Sequence, residues 1–233
     1  MPAFDLSLIP PEPDLSFELL LWQAGLEAVA GVDEAGRGAL AGPVAAGAVI
    51  LPPLPGMAQN LRGVRDSKQM APEAREIARE LILNQAIAWG VGFASPEEID
   101  QLGIVPATRL AACRAVESLS LQPGHLLLDY LFLPELVLPQ TALIKGDCRS
   151  LSIAAASILA KTSRDAWMRE LDQTFPGYGF ATHKGYGTRA HRRALERLGP
   201  SPVHRLSFDL FGETRLPAGD EPQALDELTS EAV

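Results

Sequence analysis

Apolar and polar positions recur with two different periods along this chain, and the pattern predicts both strands and helices. Short apolar or β-branched runs bounded by glycine, proline or polar residues are typical of strands, and longer segments with an apolar stripe are typical of helices. The predicted strands are 27–33, 42–51, 86–94, 125–129 and 142–145. The predicted helices are 15–23, 73–84, 95–119, 151–174 and 188–198.

Local signals fix some of these boundaries. Ser95 and Glu98 have the spacing of a capping box at a helix start, and Gly103 indicates that the helical segment after them has two pieces. The first two strands flank the turn at 36–38, which predicts an antiparallel hairpin. The order of elements therefore predicts an α/β or α+β domain with a hairpin at its front.

The charge distribution changes what the net charge of −9 implies about a partner. Residues 1–30 hold five acids and no lysine or arginine, and residues 210–233 hold six acids against one arginine. Residues 31–209 carry a net +1, and residues 161–209 alone carry +4. The late part of the chain is therefore compatible with a phosphate-bearing partner.

The apolar runs, the N-terminus and the cysteines bear on where in the cell the protein is expected. The longest apolar runs are shorter than a membrane span, and the N-terminus has no pattern of a signal peptide. Two cysteines, Cys113 and Cys148, suit neither a disulfide framework nor a metal knuckle. We therefore expect a cytoplasmic protein with reduced thiols and no membrane partner.

Acidic residues follow the predicted strands where those strands end. Taken singly, each is more common as a turn residue or a helix cap. If the strands are neighbours, however, the acids meet at one edge of a sheet, where their repulsion requires divalent cations. Oxygen ligands favour Mg²⁺ or Mn²⁺, and a pair of such ions about 3.5–4 Å apart can activate a water and stabilise the leaving oxygen of a phosphodiester. The candidate metal ligands and catalytic residues are Asp33, Glu34, Asp129 and Asp147.

Nine short motifs follow one another along the chain. They are GVDEAGRG (31–38), LAGPV (40–44), DSK (66–68), KGD (145–147), AAASILAK (154–161), RD (164–165), FPGYG (175–179), HKGYG (183–187) and HRLSF (204–208). In this order they resemble the signature blocks of ribonuclease HII, over roughly residues 27–209. The succession is specific, whereas a single glycine motif would be weak evidence.

The resemblance implies an α/β fold with a ribonuclease H-like mixed sheet flanked by helices and a helical C-terminal region. It implies a catalytic core (27–175) and a substrate-binding region (176–211), which an N-terminal extension (1–26) precedes. The Pro, Gly and acidic composition beyond Gly212 predicts an acidic, disordered tail (212–233). The resemblance also implies cleavage of RNA in RNA–DNA hybrids and of duplex DNA 5′ of an embedded ribonucleotide, leaving 3′-hydroxyl and 5′-phosphate ends. The four carboxylates named above fall at the family's metal-binding positions.

Further positions match the family's substrate contacts. The loop 36–38 corresponds to the one that senses the ribose 2′-hydroxyl, and Tyr186 corresponds to the tyrosine that packs on the following sugar. Three lysines are candidate phosphate contacts. The resulting substrate-binding candidates are Gly36, Arg37, Gly38, Ser67, Lys68, Lys161, Lys184 and Tyr186.

This chain departs from the family pattern next to one carboxylate. Asp129 is followed by Tyr130, where the family usually has glycine, so the tyrosine either crowds the metal site or points away from it. Among residues outside the site, we expect Asp165 to hold its helix through an ion pair or a hydrogen bond. His183 and His204 are expected to be structural or phosphate-facing.

Three other functions are compatible with parts of the pattern. Ribonuclease HIII shares the carboxylates but usually carries an added N-terminal domain, for which 26 residues leave no room. A non-catalytic hybrid-binding protein would have lost a carboxylate, and a transposase-like nuclease would not need the glycine and tyrosine motifs. The expected partners are RNA–DNA hybrids and ribonucleotide-containing duplex DNA, bound by a monomer, with any replication-protein partner unknown.

Overall fold

The structure is a computed structural model that describes Asp5, residues 9–54 and residues 56–212. The predicted acidic tail lies outside the described residues apart from Gly212, and the predicted N-terminal extension is described in part. Among the described residues, no helix has both the length and the apolar character needed to cross a bilayer.

One mixed sheet forms the centre of the molecule. Its strands are β1 (Val29–Ala35), β2 (Val44–Ile50), β3 (Ala88–Ala94), β4 (His125–Asp129) and β5 (Gln140–Leu143). The order across the sheet is β3-β2-β1-β4-β5. β1, β2 and β3 pair antiparallel, whereas β1, β4 and β5 run parallel. The carboxyl ends of three neighbouring strands therefore meet at one edge.

Helices cover both faces of this sheet. They are α1 (Ser16–Gln23), α2 (Met57–Asn60), α3 (Pro72–Gln85), α4 (Pro96–Leu102), α5 (Ile104–Glu117), α6 (Leu151–Thr174), α7 (Phe180–His183) and α8 (Arg189–Leu198). The predicted capping box at Ser95 and Glu98 is present, and Gly103 separates α4 from α5 as expected. Tight 3-10 turns are formed at Ser67–Gln69 and Gly146–Cys148.

Glycines in the strands let the long helix α6 lie directly on the sheet. A Cβ added at Gly31 would stand 2.2 Å from the backbone carbon of Ser152, and one added at Gly47 would stand 2.3 Å from the carbonyl oxygen of Ala156. The alanine run 154–156 is fully buried at this contact. On the opposite face, Gly92 makes the same close approach to Ala111 of α5. Small side chains on both partners thus fix the sheet between two helices.

The structure corrects several predicted local features. β1 and β2 form the expected hairpin, but their connection is the eight-residue segment 36–43 rather than a tight turn. β5 ends at Leu143, earlier than the predicted strand at 142–145, so Asp147 lies in a 3-10 turn and not at a strand exit. The segment between the predicted helices 151–174 and 188–198 contains the short helix α7. Each difference is a backbone reversal held by tertiary contacts, which hydrophobic periodicity does not report.

Candidate active site

Three carboxylates converge at the carboxyl edge of the parallel strands. Asp33 lies in β1, Asp129 is the last residue of β4, and Asp147 lies in the turn Gly146–Cys148. One carboxylate oxygen from each lies within 4.8 Å of the other two, and we call these three residues the carboxylate cluster. Three of the four predicted carboxylates are therefore brought together, and Glu34 lies outside this group. Glu34 follows Asp33 and pairs with Arg37 across 3.1 Å.

Burial and mutual repulsion make the carboxylate cluster costly in the absence of a cation. Burial first, and then the negative charges of Glu34, Asp129 and Asp147, raise the pKa of Asp33 well above its usual value. Burial and Asp147 raise the pKa of Asp129 to about 6, although its carboxylate accepts a hydrogen bond from Gly146 N–H at 2.7 Å. The fold thus concentrates negative charge where an acid would normally avoid it.

Three buried carboxylate oxygens in and beside the carboxylate cluster indicate what kind of group it can bind. Within the described residues, Asp33 Oδ2, Asp147 Oδ1 and Glu34 Oε2 are buried without a hydrogen-bond partner. Buried polar atoms are rarely left unpaired, so such oxygens indicate an ion. Because the available ligand atoms are all carboxylate oxygens, the residues present fit a hard divalent cation such as Mg²⁺ or Mn²⁺.

Lys68 is a cation beside these acids. Its ammonium lies 3.5 Å from Asp147 Oδ2 and 3.9 Å from Asp66 Oδ1. Burial lowers the pKa of Lys68, but the surrounding carboxylates, led by Asp33, raise it overall above its ordinary value. The Lys68 side chain is 70% exposed, so its ammonium is accessible from solvent while it pairs with Asp147.

A buried glutamate anchors the segment that carries Asp147. Glu18 of α1 accepts hydrogen bonds from Ser152 N–H at 2.9 Å and from the hydroxyls of Ser150 and Ser152 at 2.6 Å each. These donors lie at the N-terminus of α6, where a negative charge is favourable. Sequence reasoning missed Glu18. It lies in the predicted N-terminal extension, and its role depends on a contact more than a hundred residues away along the chain.

The glycine loop, residues 36–38, is held from beneath by two buried arginines. Arg205 donates to the carbonyl oxygens of Gly36 and Arg37 at 2.8 Å each. Arg164 donates to Pro43 O at 2.8 Å, and a Cβ at Gly36 would overlap its side chain. Burial lowers the pKa of Arg205 to about 9. These guanidiniums bond to uncharged backbone carbonyls, which do not neutralise them, so their positive charge remains beneath the loop.

Sequence reasoning did not assign these arginines a role. Both belong to motifs that carry the resemblance, but an arginine in a helix or loop usually indicates an exposed residue. Both are fully buried here. Only the fold brings Arg164 of α6 and Arg205 of the C-terminal segment to the same loop.

A cavity of about 550 Å³ lies in front of the glycine loop. Its wall includes most of the predicted substrate contacts. A neighbouring cavity of about 310 Å³ includes Lys184. The residues lining the larger cavity are Glu34, Ala35, Gly36, Arg37, Gly38, Ser67, Lys68, Arg75, Lys161 and Tyr186.

Several of these side chains already have protein partners. The Ser67 hydroxyl is buried and lies 2.9 Å from the hydroxyl of Ser157. Lys161 forms an ion pair with Asp165 at 2.6 Å, which agrees with the expected role of Asp165 in holding its helix. Lys184 Nζ donates to the carbonyl oxygen of Ala181. The Ser67 hydroxyl therefore already has one partner inside the protein.

Tyr130, the departure from the family pattern, points away from the carboxylate cluster. Its side chain is 76% exposed, and its φ of +47° is in the left-handed region that glycine favours. The usual glycine at this position is therefore explained by the backbone turn after Asp129. Because the tyrosine faces solvent, it leaves the cluster uncrowded.

The comparisons with known proteins decide the family. The sequence profile described as Ribonuclease HII matches residues 30–211. The chain belongs to the ribonuclease HII family. Ribonuclease HII of Myxococcus xanthus is 52% identical over 221 residues, which is 94% of this chain and 74% of the relative. Ribonuclease HII of a Synechococcus strain is 56% identical over 197 residues, or 84% of this chain and 88% of the relative.

Solved structures share the fold. Ribonuclease H2 from Pyrococcus horikoshii OT3 has a TM-score of 0.65 and 26% identity, over 78% of this chain and 94% of that one. A PCNA complex of ribonuclease HII from Archaeoglobus fulgidus has a TM-score of 0.62 and 23% identity, over 76% and 92%. Bst-RNase HIII in complex with Mn²⁺ has a TM-score of 0.59 and 21% identity, over 83% of this chain and 70% of that one. The predicted ribonuclease H-like fold is confirmed.

Membership in the ribonuclease HII family establishes the class of activity. The chain is a ribonuclease, a hydrolase that acts on RNA in RNA–DNA hybrids. Enzymes of this kind use divalent metal ions, and the carboxylate cluster fits that requirement.

Proposed function

We propose that this enzyme cuts duplex DNA 5′ of an embedded ribonucleotide as well as the RNA strand of hybrids, leaving 3′-hydroxyl and 5′-phosphate ends. One observation carries the proposal. The carboxylate cluster stands next to Glu34 and Lys68, which line the same cavity as the glycine loop and Tyr186. A cluster that can bind cations therefore lies beside residues of the cavity whose wall also holds the groups proposed to read a sugar.

In this proposal, Asp33, Glu34, Asp129 and Asp147 hold two Mg²⁺ or Mn²⁺ ions. The ions would supply activation of the attacking water and stabilisation of the leaving oxygen. The backbone contributes orientation, because Asp33 Oδ1 accepts from Glu34 N–H and Asp129 Oδ1 accepts from Gly146 N–H. The unpartnered oxygens described above support this assignment, and the Mn²⁺ complex of the ribonuclease HIII neighbour is consistent with it.

The remaining predicted residues bind the duplex. Gly36, Arg37 and Gly38 sense the ribose 2′-hydroxyl through the backbone, and Tyr186 packs on the following sugar, where a second 2′-hydroxyl is unfavourable. Phosphate contacts come from Lys68, Lys161, Lys184 and the backbone near Ser67, which position the duplex without reading its sequence. The position of these groups along one cavity system supports the proposal.

The proposed organisation keeps the predicted division into an extension (1–26), a catalytic core (27–175), a substrate-binding region (176–211) and an acidic tail (212–233). We propose a monomer that acts in the cytoplasm, where Cys113 and Cys148, both free, stay reduced. The Archaeoglobus ribonuclease HII was solved with PCNA, so a replication protein is a reasonable partner class to test.

The test uses an end-labelled DNA duplex with one embedded ribonucleotide, incubated with Mg²⁺ or Mn²⁺ beside an Asp129→Asn control. The expected result is a single cut 5′ of the ribonucleotide that the control lacks. Cleavage of a continuous hybrid without cleavage of this duplex would indicate specificity like that of ribonuclease HIII. Binding without cleavage of either substrate would indicate a hybrid-binding protein and contradict the proposal.

A further inference from the structure

Histidines of the C-terminal region form a buried cluster behind Tyr186. His191 is 0% exposed and His204 is 2% exposed. The His191 ring stacks on that of His183 with centroids 4.3 Å apart, and Phe180 packs edge-on against both rings. Neither His191 nor His204 lines the cavity beside the glycine loop. Their ring nitrogens must therefore serve a partner within the protein.

Hydrogen bonds through this cluster assign one proton to each of two rings. Ser201 N–H donates to His204 Nδ1 at 2.9 Å, so that nitrogen carries a lone pair and the proton of His204 is on Nε2. His204 Nε2 lies 3.1 Å from His191 Nε2, which must accept. His191 then carries its proton on Nδ1 and donates to the carbonyl oxygen of Tyr186 at 3.0 Å. One pair of neutral tautomers satisfies these three bonds, and the 3.3 Å contact between His204 Nδ1 and Ser201 O is then not a hydrogen bond.

Burial keeps this chain of hydrogen bonds neutral. It lowers the pKa of His191 to about 4, with the neighbouring histidines adding to the effect, and it lowers the pKa of His204 as well. A second proton on His191 would set its Nε2–H against that of His204, and a second proton on His204 would set its Nδ1–H against Ser201 N–H. The neutral rings therefore keep fixed donor and acceptor roles at ordinary pH. We call this chain of hydrogen bonds, from Ser201 through His204 and His191 to Tyr186, the relay.

The relay ends on the residue that the proposed function assigns to sugar recognition. The Tyr186 carbonyl also accepts from Thr188 N–H at 2.7 Å, and Gly185 N–H donates to His183 Nδ1 at 3.2 Å. Gly185 has a φ of +78°, and a Cβ added there would stand 2.4 Å from Ala41 O. The backbone at this position therefore tolerates little displacement. The Tyr186 ring itself is 37% exposed.

We propose that His191, oriented by His204 and Ser201, is a positioning residue that holds Tyr186 in place and thereby sets the preference for a ribonucleotide next to DNA. The first part concerns only the protein, and the second rests on the proposed role of Tyr186 in sugar recognition. His191 acts through the Tyr186 peptide and does not touch the substrate. Removing its Nδ1–H leaves the Tyr186 carbonyl oxygen with the bond from Thr188 N–H and without the one from His191, which loosens the loop around the ring.

A matched pair of substitutions isolates this hydrogen bond. Asparagine and leucine have the same branched shape, but His191→Asn keeps a donor near the position of Nδ1 whereas His191→Leu does not. Both remove the bond from His204, so the loss of packing and of that bond is common to the two variants. His125→Leu is the control, because His125 is also buried but bonds to Thr141 in the sheet.

The first readout follows Tyr186 directly. The chain has three tyrosines, so fluorotyrosine labelling gives three ¹⁹F NMR signals, which Tyr→Phe variants assign. We expect the Tyr186 signal to shift or broaden in His191→Leu and to return toward its original position in His191→Asn. The Tyr130 signal should stay unchanged in both. An unmoved Tyr186 signal in folded His191→Leu overturns the inference, whatever the activity.

The second readout compares kcat/KM on the single-ribonucleotide duplex and on a continuous hybrid. His191→Leu should lower the first value about tenfold more than the second, the rate equivalent of one hydrogen bond, and His191→Asn should recover most of that ratio. His125→Leu should leave the ratio unchanged. An unaltered ratio in His191→Leu despite a displaced Tyr186 signal would refute the specificity part.

Two controls keep these outcomes separate from folding and from the proposed function. If His191→Leu does not fold, the pair His204→Gln and His204→Leu tests the same relay one step away, since glutamine keeps a donor near Nε2. Wild-type enzyme that cuts hybrids but never the single-ribonucleotide duplex would refute the proposed junction specificity. The NMR result would still decide whether His191 positions Tyr186.

Discussion

Replacing Asp129 by asparagine should stabilise the metal-free protein while abolishing its activity. The carboxylate cluster is repulsive without a cation, and Asp129→Asn removes one of its charges. Asparagine keeps an oxygen that can accept the hydrogen bond from Gly146 N–H, so the local geometry is preserved. Stability and activity are therefore expected to change in opposite directions, as they do where a site stores unfavourable electrostatics.

The pKa of Asp129 gives the size of the effect. Burial and neighbouring carboxylates raise it from 3.8 to about 6. A change of about 2 pKa units corresponds to about 3 kcal/mol, which falls to about 1–2 kcal/mol once solvent screening at this partly exposed side chain is allowed for. We expect Asp129→Asn to raise the free energy of unfolding by that amount at pH 7.5 in EDTA.

The sign of the pH dependence follows from the same value. Because the pKa is higher in the folded state, folded protein binds more protons than unfolded protein between pH 3.8 and about 6. This contribution therefore makes wild-type protein in EDTA gain stability as the pH falls through about 6. Asp129→Asn lacks that gain.

Urea unfolding at equilibrium measures each of these quantities. Adding Mn²⁺ should stabilise wild type by mass action, about 2.7 kcal/mol at a concentration one hundred times the dissociation constant, and should stabilise Asp129→Asn less. Asp100→Asn is the control, and it is expected to change the free energy of unfolding in the opposite direction. Burial raises the pKa of Asp100, but hydrogen bonds from Ser207 and Leu206 lower it overall, so its loss should destabilise. A less stable Asp129→Asn in EDTA, or equal stabilisation of wild type and Asp129→Asn by Mn²⁺, would refute the reasoning.

Three further predictions concern the scaffold around the site. Gly31→Ala should destabilise the protein by more than about 3 kcal/mol in urea unfolding, because its Cβ would stand 2.2 Å from the Ser152 backbone; normal stability would contradict this helix contact. Tyr130→Gly should keep hybrid cleavage and raise the unfolding free energy by up to about 1 kcal/mol, since φ is +47° there, and a lost activity would assign the tyrosine a role. His191 has a folded pKa of about 4 against 6.5 unfolded, so it should cost about 3 kcal/mol of stability as the pH falls through that window. The difference in unfolding free energy between pH 7.5 and 4.5 should therefore be smaller in His191→Asn, and an equal difference would count against a neutral, buried ring.

The sequence by itself was sufficient for much of the fold. The strand at His125–Asp129 and the helix at Leu151–Thr174 have the predicted bounds, and the front hairpin is present. Apolar periodicity reports these elements because each buries one face or both. Family motifs identified the candidate carboxylates. Asp33 and Glu34 lie in β1 and Asp129 ends β4, so their positions follow from the strands, whereas Asp147 lies in the 3-10 turn beyond β5.

Only the tertiary structure decided which residues support the site. Glu18, Arg164, His191 and Arg205 are polar residues whose type normally indicates exposure, yet each is fully buried and hydrogen-bonded. Their partners lie far away in sequence or on the backbone of another segment. The sequence therefore determined the elements and their apolar faces, whereas the crossing of β1, β4 and α6 determined which charges meet, because that depends on distances that no local pattern encodes.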